Sequence, residues 1–147
     1  MPGDTTQGLL DTNILVLRAG IAPGDLPDQM AISAVTLAEL AAGVHMVTGD
    51  DPEASRERAR RVAVLQKTEN EFDPIGFDAE AARVFGQISA AVKAAGRTPR
   101  RRIADLMIAA TSAVHGLPLY TTNPDDFAGL EALVTVVPVS RPTAIGP

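Results

Sequence analysis

Cysteine and tryptophan are absent from these 147 residues, tyrosine occurs once, and histidine twice. The lack of cysteine excludes disulfides and cysteine-ligated zinc, and suits a reducing compartment. The two histidines, His45 and His115, are far apart, late in predicted helices where a cation is ordinary, and make no zinc site. Aromatic residues are only 3% of the chain, so the core is expected to be aliphatic and helix-rich. No apolar run approaches roughly 18 residues and no basic-then-apolar leader opens the chain, so no membrane segment is expected and the expected compartment is the cytoplasm.

What remains is ordinary in size and unusual in where it puts its charges. Apolar residues make up 46%, enough for one domain with a real core. Net charge is −5, which by itself argues against a nucleic-acid partner. Arginines nevertheless cluster at Arg56, Arg58, Arg60 and Arg61 and again at Arg97, Arg100, Arg101 and Arg102.

Patterning predicts alternating strands and helices. Short apolar strands are expected at 8–11, 30–34, 72–75, 117–121 and 134–139. Helices are expected at 13–18, 35–47, from Pro52 to about Thr68, from Asp78 to Gly96, and at 103–115, with a turn or short helix at 123–127. Asp51 and Asp78 read as N-caps, Gly96 and Gly116 as C-terminal stops. The stretches 19–29 and 97–102 read as loops. Residues 1–7 are expected to be a flexible N-terminus, 8–142 one domain, and 143–147 a tail. This order implies an α/β fold, with a central, mostly parallel sheet of four or five strands and helices on both faces.

Ligands of such sheets bind beyond the C-terminal strand ends. Asp11 ends the first strand inside the apolar stretch "GLLDTNIL". Glu39 lies about a turn into the helix after the second strand, Asp105 in the first turn of the apolar helix "IADLMIAA", and Asn123, Asp125 and Asp126 after "LPLYTT". Four segments thus deliver acids to one edge. Two like charges roughly 4 Å apart cost about 4 kcal/mol at an effective dielectric near 20, and helix N-termini recover only part of that. Hard oxygen donors without cysteine or histidine call for Mg²⁺ or Mn²⁺. Asp11, Glu39, Asp105 and Asp126 account for four of the five net negative charges, so the remainder of the chain is nearly neutral and compatible with a phosphate-rich substrate.

Each residue also has a plainer reading. Asp11 would serve as a helix cap, Glu39 as a solvent-facing helix residue, Asp105 as a charge favoured by the helix dipole, and Ser33 as the cap of the second helix. Thr122 is placed to orient a carboxylate or a water, and Thr12 and Asn13 to fix the first loop. Arg100, Arg101 and Arg102 lie just before Asp105, as phosphate contacts or as a solvated loop.

"LLDTNIL", "ISAVTLAEL", "RIADLMIAATSAVHGLPLYTTNPDDF" and "VTVVPV", in this order, resemble a PIN domain, and more narrowly a VapC-type toxin of a bacterial toxin–antitoxin pair. The resemblance covers Gly8 to about Pro142. It implies a Mg²⁺- or Mn²⁺-dependent endoribonuclease that hydrolyses RNA with metal-activated water, forms a homodimer, and is held inactive by a VapB-type antitoxin. It assigns Asp11 and Asp105 as metal ligands and Glu39 as the further catalytic acid, and puts the fourth position at Asp126, a metal ligand with Asn123 as neutral support, or at Asn123, where many relatives carry aspartate; Asn13, Ser33 and Thr122 are supports on the reading of the residues themselves. Two other readings stay open at this stage: an acidic-site Mg²⁺-dependent phosphatase or phosphotransfer domain, and a catalytically inactive PIN-like binding module. Against a phosphatase of the haloacid-dehalogenase type stands Asn13, where a second aspartate is wanted.

Overall fold

Leu9 and Leu10 are both fully buried, yet they belong to different hydrophobic clusters on opposite sides of one strand. That alternation, the period of two of any strand, organises the domain. In the computed structural model, which describes residues 5–142 apart from the Arg101 side chain, the strands are β1 (Gln7–Leu10), β2 (Gln29–Ala31), β3 (Leu119–Thr121) and β4 (Val136–Pro138). The helices are α1 (Thr12–Leu17), α2 (Ala34–His45), α3 (Pro52–Glu71), α4 (Ala79–Ala94) and α5 (Ile103–His115). The expected tail at 143–147 and the first four residues of the N-terminal segment lie outside the described residues.

The strands form one parallel sheet in the order β2-β1-β3-β4. On one side Leu9 and Leu119 pack with Ile88 and Val92 of α4 and with Leu106, Ala109 and Ala110 of α5. On the other, Leu10, Ile32 and Val139 pack with Ile14 and Leu15 of α1, Leu40 of α2, and half-buried Val64 and Leu65 of α3. Each fully buried Leu or Ile is worth roughly 1.5–3 kcal/mol over its exposed state. Helices on both faces and an all-parallel sheet are what the alternating pattern predicts.

The helix ends follow their capping residues. Asp51 and Asp78 accept hydrogen bonds from the backbone N–H of Ala54 and Ala81. Gly116, at φ 62°, ends α5 in the left-handed region that glycine tolerates best.

Three expectations are corrected. The strand expected at 72–75 is only a single parallel bridge, Ile75 with Ser33. Phe72 closes α3, which runs on to Glu71, and Pro74 has no N–H to donate to a ladder. Gln7, assigned to the terminus by the sequence reading, opens β1 opposite Gln29, and Thr6 is tied to Asp28 by side chain and backbone. Pro99–Arg102, expected as loop, form a 3-10 turn running directly into α5, with proline at its first position.

Strand order reverses at β1. The chain passes from β1 to β2 on one side, then crosses to β3 on the other, so a crevice opens beyond the C-terminal ends of β1 and β3.

Candidate active site

The first residue past β1 is Asp11, and it is buried. Its backbone N–H donates to the Tyr120 carbonyl at 2.9 Å, continuing the β1–β3 ladder. Its carboxylate is held at both oxygens. Thr12 N–H donates to Oδ1 at 2.9 Å, which caps α1, and Thr121 Oγ1 donates to Oδ2 at 2.8 Å. The helix-cap reading of Asp11 therefore holds, but it uses only one oxygen. Burial pushes the Asp11 carboxyl above its ordinary range. The Thr121 and Thr12 hydrogen bonds pull it back in part, and the charges of Glu39 and Asp126 add to the rise.

Glu39, in the second turn of α2, is half-buried. Thr12 Oγ1 donates to its Oε1 at 2.6 Å, and the Thr36 hydroxyl lies 3.1 Å from the same Thr12 oxygen. α1 thus fixes an acid of α2. Asp105, half-buried in the first turn of α5, is pushed up to about 6. Burial is the largest cause, followed by the charges of Asp11, Asp126 and Glu39, with the Arg102 guanidinium opposing them. Asp126 lies in a 3-10 turn after β3, Pro124–Phe127, and pairs through Oδ1 with the Arg102 guanidinium at 3.0 Å. The predicted acids Asp11, Glu39, Asp105 and Asp126 therefore share one electrostatic field.

The supporting residues sort differently from the sequence reading. Ser33 is the N-cap of α2, accepting from Val35 N–H at 3.0 Å, so its plainer role is the one observed. Asn13 is half-buried in the first turn of α1. Asn123 contributes through its backbone: its N–H donates to Thr121 Oγ1 at 3.0 Å, and its carbonyl accepts from Asp126 N–H at 3.0 Å. Thr122 does not orient a carboxylate, because its buried hydroxyl has no hydrogen-bond partner. The role falls to Thr121, one residue earlier. Successive strand side chains point to opposite sides, so only one of the two faces Asp11. Counting that alternation two residues forward from Leu119 was the available signal.

Among the arginines, Arg100 is exposed, Arg102 is engaged with Asp126, and the Arg101 side chain lies outside the described residues. Arg97, named from sequence only as part of an arginine cluster, donates to the Asp125 carbonyl at 2.8 Å and steadies the turn carrying Asp126. Asp125 itself faces solvent. Beside Glu39, a cleft of about 400 Å³ opens between α1, α2 and α3, lined by Thr12, Val16, Leu40, Arg60 and Val64.

Carboxylate oxygens are hard donors and suit Mg²⁺ or Mn²⁺. The buried Asp11 and the raised Asp105 are the signs of acids short of counter-charge. By donor chemistry the quartet fits such an ion. Among the described residues no three Asp, Glu or His side chains already stand as a set that could hold one.

An α/β domain with four acids gathered at its sheet's switch point belongs to the class of open parallel sheets whose site lies beyond the C-terminal strand ends. Comparison with known proteins narrows it. Residues 9–133 match the PIN domain family, and the chain belongs to that family. Ribonuclease VapC5 of Mycobacterium tuberculosis is 35% identical over 132 residues, 88% of this chain and 91% of the relative. The tRNA(fMet)-specific endonuclease VapC of Shigella flexneri is 31% identical over 134 residues, 86% and 94% of the two chains. A crystal structure of VapBC-5, a toxin–antitoxin system from M. tuberculosis, has a chain matching this fold with a TM-score of 0.74 at 32% identity, covering 92% of this chain and 98% of its own.

Proposed function

We propose that this chain is a divalent-metal-dependent endoribonuclease and the toxin of a toxin–antitoxin pair, acting in the cytoplasm. One observation carries the reading: acids from four separate segments share a field at the β1/β3 switch point. The relatives named as ribonuclease and endonuclease support it, and the phosphatase and inactive-module alternatives have no comparable support.

Asp11, Asp105 and Asp126 would hold Mg²⁺ or Mn²⁺, with Glu39 beside them. Such an ion, when bound, activates water and stabilises charge on the phosphate oxygens. The chain's own residues do the positioning. Thr121, itself fixed by Asn123 N–H, aims its proton at Asp11 and holds that carboxylate in one rotamer. Thr12 caps on Asp11 through its backbone and fixes Glu39 through its hydroxyl, so one residue sets two acids. Arg100, exposed in the turn before α5, would supply positive charge for RNA phosphates.

The neighbours solved as toxin–antitoxin complexes support a VapB-type antitoxin as partner. The cleft beside Glu39, with Val16 55% exposed on its wall, is of a kind to accept an apolar helix face. A homodimer completes the reading on family resemblance.

The test is cleavage of RNA by purified protein with and without Mg²⁺ or Mn²⁺. Activity is expected only with metal, and Asp11→Asn and Asp105→Asn are expected to lose at least about a hundredfold. Cleavage undiminished in both variants would assign the activity to a contaminant.

A further inference from the structure

Arg102 stands where helix energetics do not favour it. It is the residue before α5, and a cation at a helix N-terminus opposes the macrodipole. No side-chain cap explains it, since Arg102 in the N-cap position makes no such bond. What holds it is the acidic quartet. Its Nη1 lies 3.0 Å from Asp126 Oδ1, and its charge acts against the negative field on Asp105, one turn further along. The pair is only partly covered, at 33% and 34% side-chain exposure, so it can open without burying an unpaired charge.

We propose that Arg102 is a built-in competitor for Asp126, occupying a carboxylate oxygen that a divalent cation needs and thereby setting the cation concentration at which the site fills. The proposal rests on the cation reading given above. Two physical effects act together. The guanidinium bonds one of the ligand oxygens directly, and its positive charge lowers the attraction of the remaining acids for a second cation. At low Mg²⁺ or Mn²⁺, Asp126 stays with Arg102. When the ion takes Asp126, the partly exposed guanidinium is released, free for a phosphate.

Mn²⁺ titration calorimetry on the metal-free full-length chain, with no RNA present, tests this directly. Arg102→Gln is expected to bind Mn²⁺ about tenfold more tightly than wild type, from the freed Asp126 oxygen together with the loss of one like charge beside the ion. Asp126→Asn is expected to bind more weakly. In an Asp126→Asn background, Arg102→Gln is expected to give back only the part due to charge, about threefold to fivefold, because the oxygen it competed for is gone. Arg102→Lys keeps the charge and loses the Nη1 donor that reaches Asp126 Oδ1, so a gain of roughly twofold to threefold is expected. That variant carries the test if Arg102→Gln does not give a cooperative thermal melt. Wild-type affinity in the Arg102 variants, or weaker binding, overturns the proposal; weaker binding would make Arg102 a positioning residue for Asp126. A wild-type chain that takes up no Mn²⁺ overturns the cation reading itself, a result distinct from either.

Discussion

Thr121 Oγ1 donates to Asp11 Oδ2 at 2.8 Å across the boundary between β3 and β1. The two residues are 110 positions apart, and both are buried. Because Asn123 N–H already donates to the threonine oxygen, the hydroxyl proton has one good direction, toward the carboxylate. The sheet's switch point is thus converted into a fixed acid.

Thr121→Val is nearly isosteric and removes that donor. Loss of a hydrogen bond to a buried carboxyl is expected to cost about 1–3 kcal/mol in urea unfolding, and to weaken Mn²⁺ binding roughly tenfold to a hundredfold. Thr122→Val is the control. Its hydroxyl is buried without a partner, so stability should change by no more than about 0.5 kcal/mol or rise. Equal losses in the two variants would contradict the assignment.

Thr12→Val separates the two tasks of residue 12. Its backbone cap on Asp11 survives, while Glu39 loses the 2.6 Å hydrogen bond. RNA cleavage is expected to fall about tenfold, with Mn²⁺ affinity changed much less. A fall in affinity as large as the fall in cleavage would place Glu39 among the primary ligands.

Asp105 gives the metal-free protein a pH signature. Its folded value of about 6 lies above its ordinary value of 3.8, so the folded state binds the extra proton between them. The stability this group contributes is complete below about pH 4 and is lost as pH rises through about 6. Asp11, also raised, acts in the same direction. The melting temperature of metal-free wild type, minus that of Asp105→Asn, should therefore fall between pH 4.5 and pH 7.5. Saturating Mn²⁺ should remove the fall at the upper end. A difference that rises with pH would mean Asp105 is stabilised as the carboxylate.

Gly8 carries the strand that delivers Asp11. A Cβ there would stand 2.3 Å from Tyr120 Cε1 and 3.0 Å from Pro27 Cγ. Gly8→Ala is expected to destabilise by about 1–3 kcal/mol through overpacking. It should also lower activity out of proportion to the folded fraction, by shifting β1 against β3. Denaturant midpoints, read beside cleavage rates, check both.

The acids were legible in the sequence because each is a charge in an apolar setting at an element boundary. Asp11 interrupts "LLDTNIL", and Asp105 sits in an otherwise apolar helix. Helix limits were legible where a cap wrote them, as at Asp51, Asp78 and Gly116. Tertiary partners were not legible. Nothing in "LYTTN" ranks Thr121 over Thr122 until the strand's phase against Asp11 is known. Arg102 read as a phosphate contact because the sequence does not show that Asp126, 24 residues away, lies within reach. The short stretch 72–75 looked like a strand from composition, yet only Ile75 finds a sheet partner.

Diffraction from crystals soaked in Mn²⁺, read at the manganese absorption edge, is the most direct measurement. The account predicts anomalous density among Asp11, Asp105 and Asp126, lost in Asp11→Asn crystals. Mn²⁺ bound elsewhere on the molecule, or none at millimolar concentration, would contradict it.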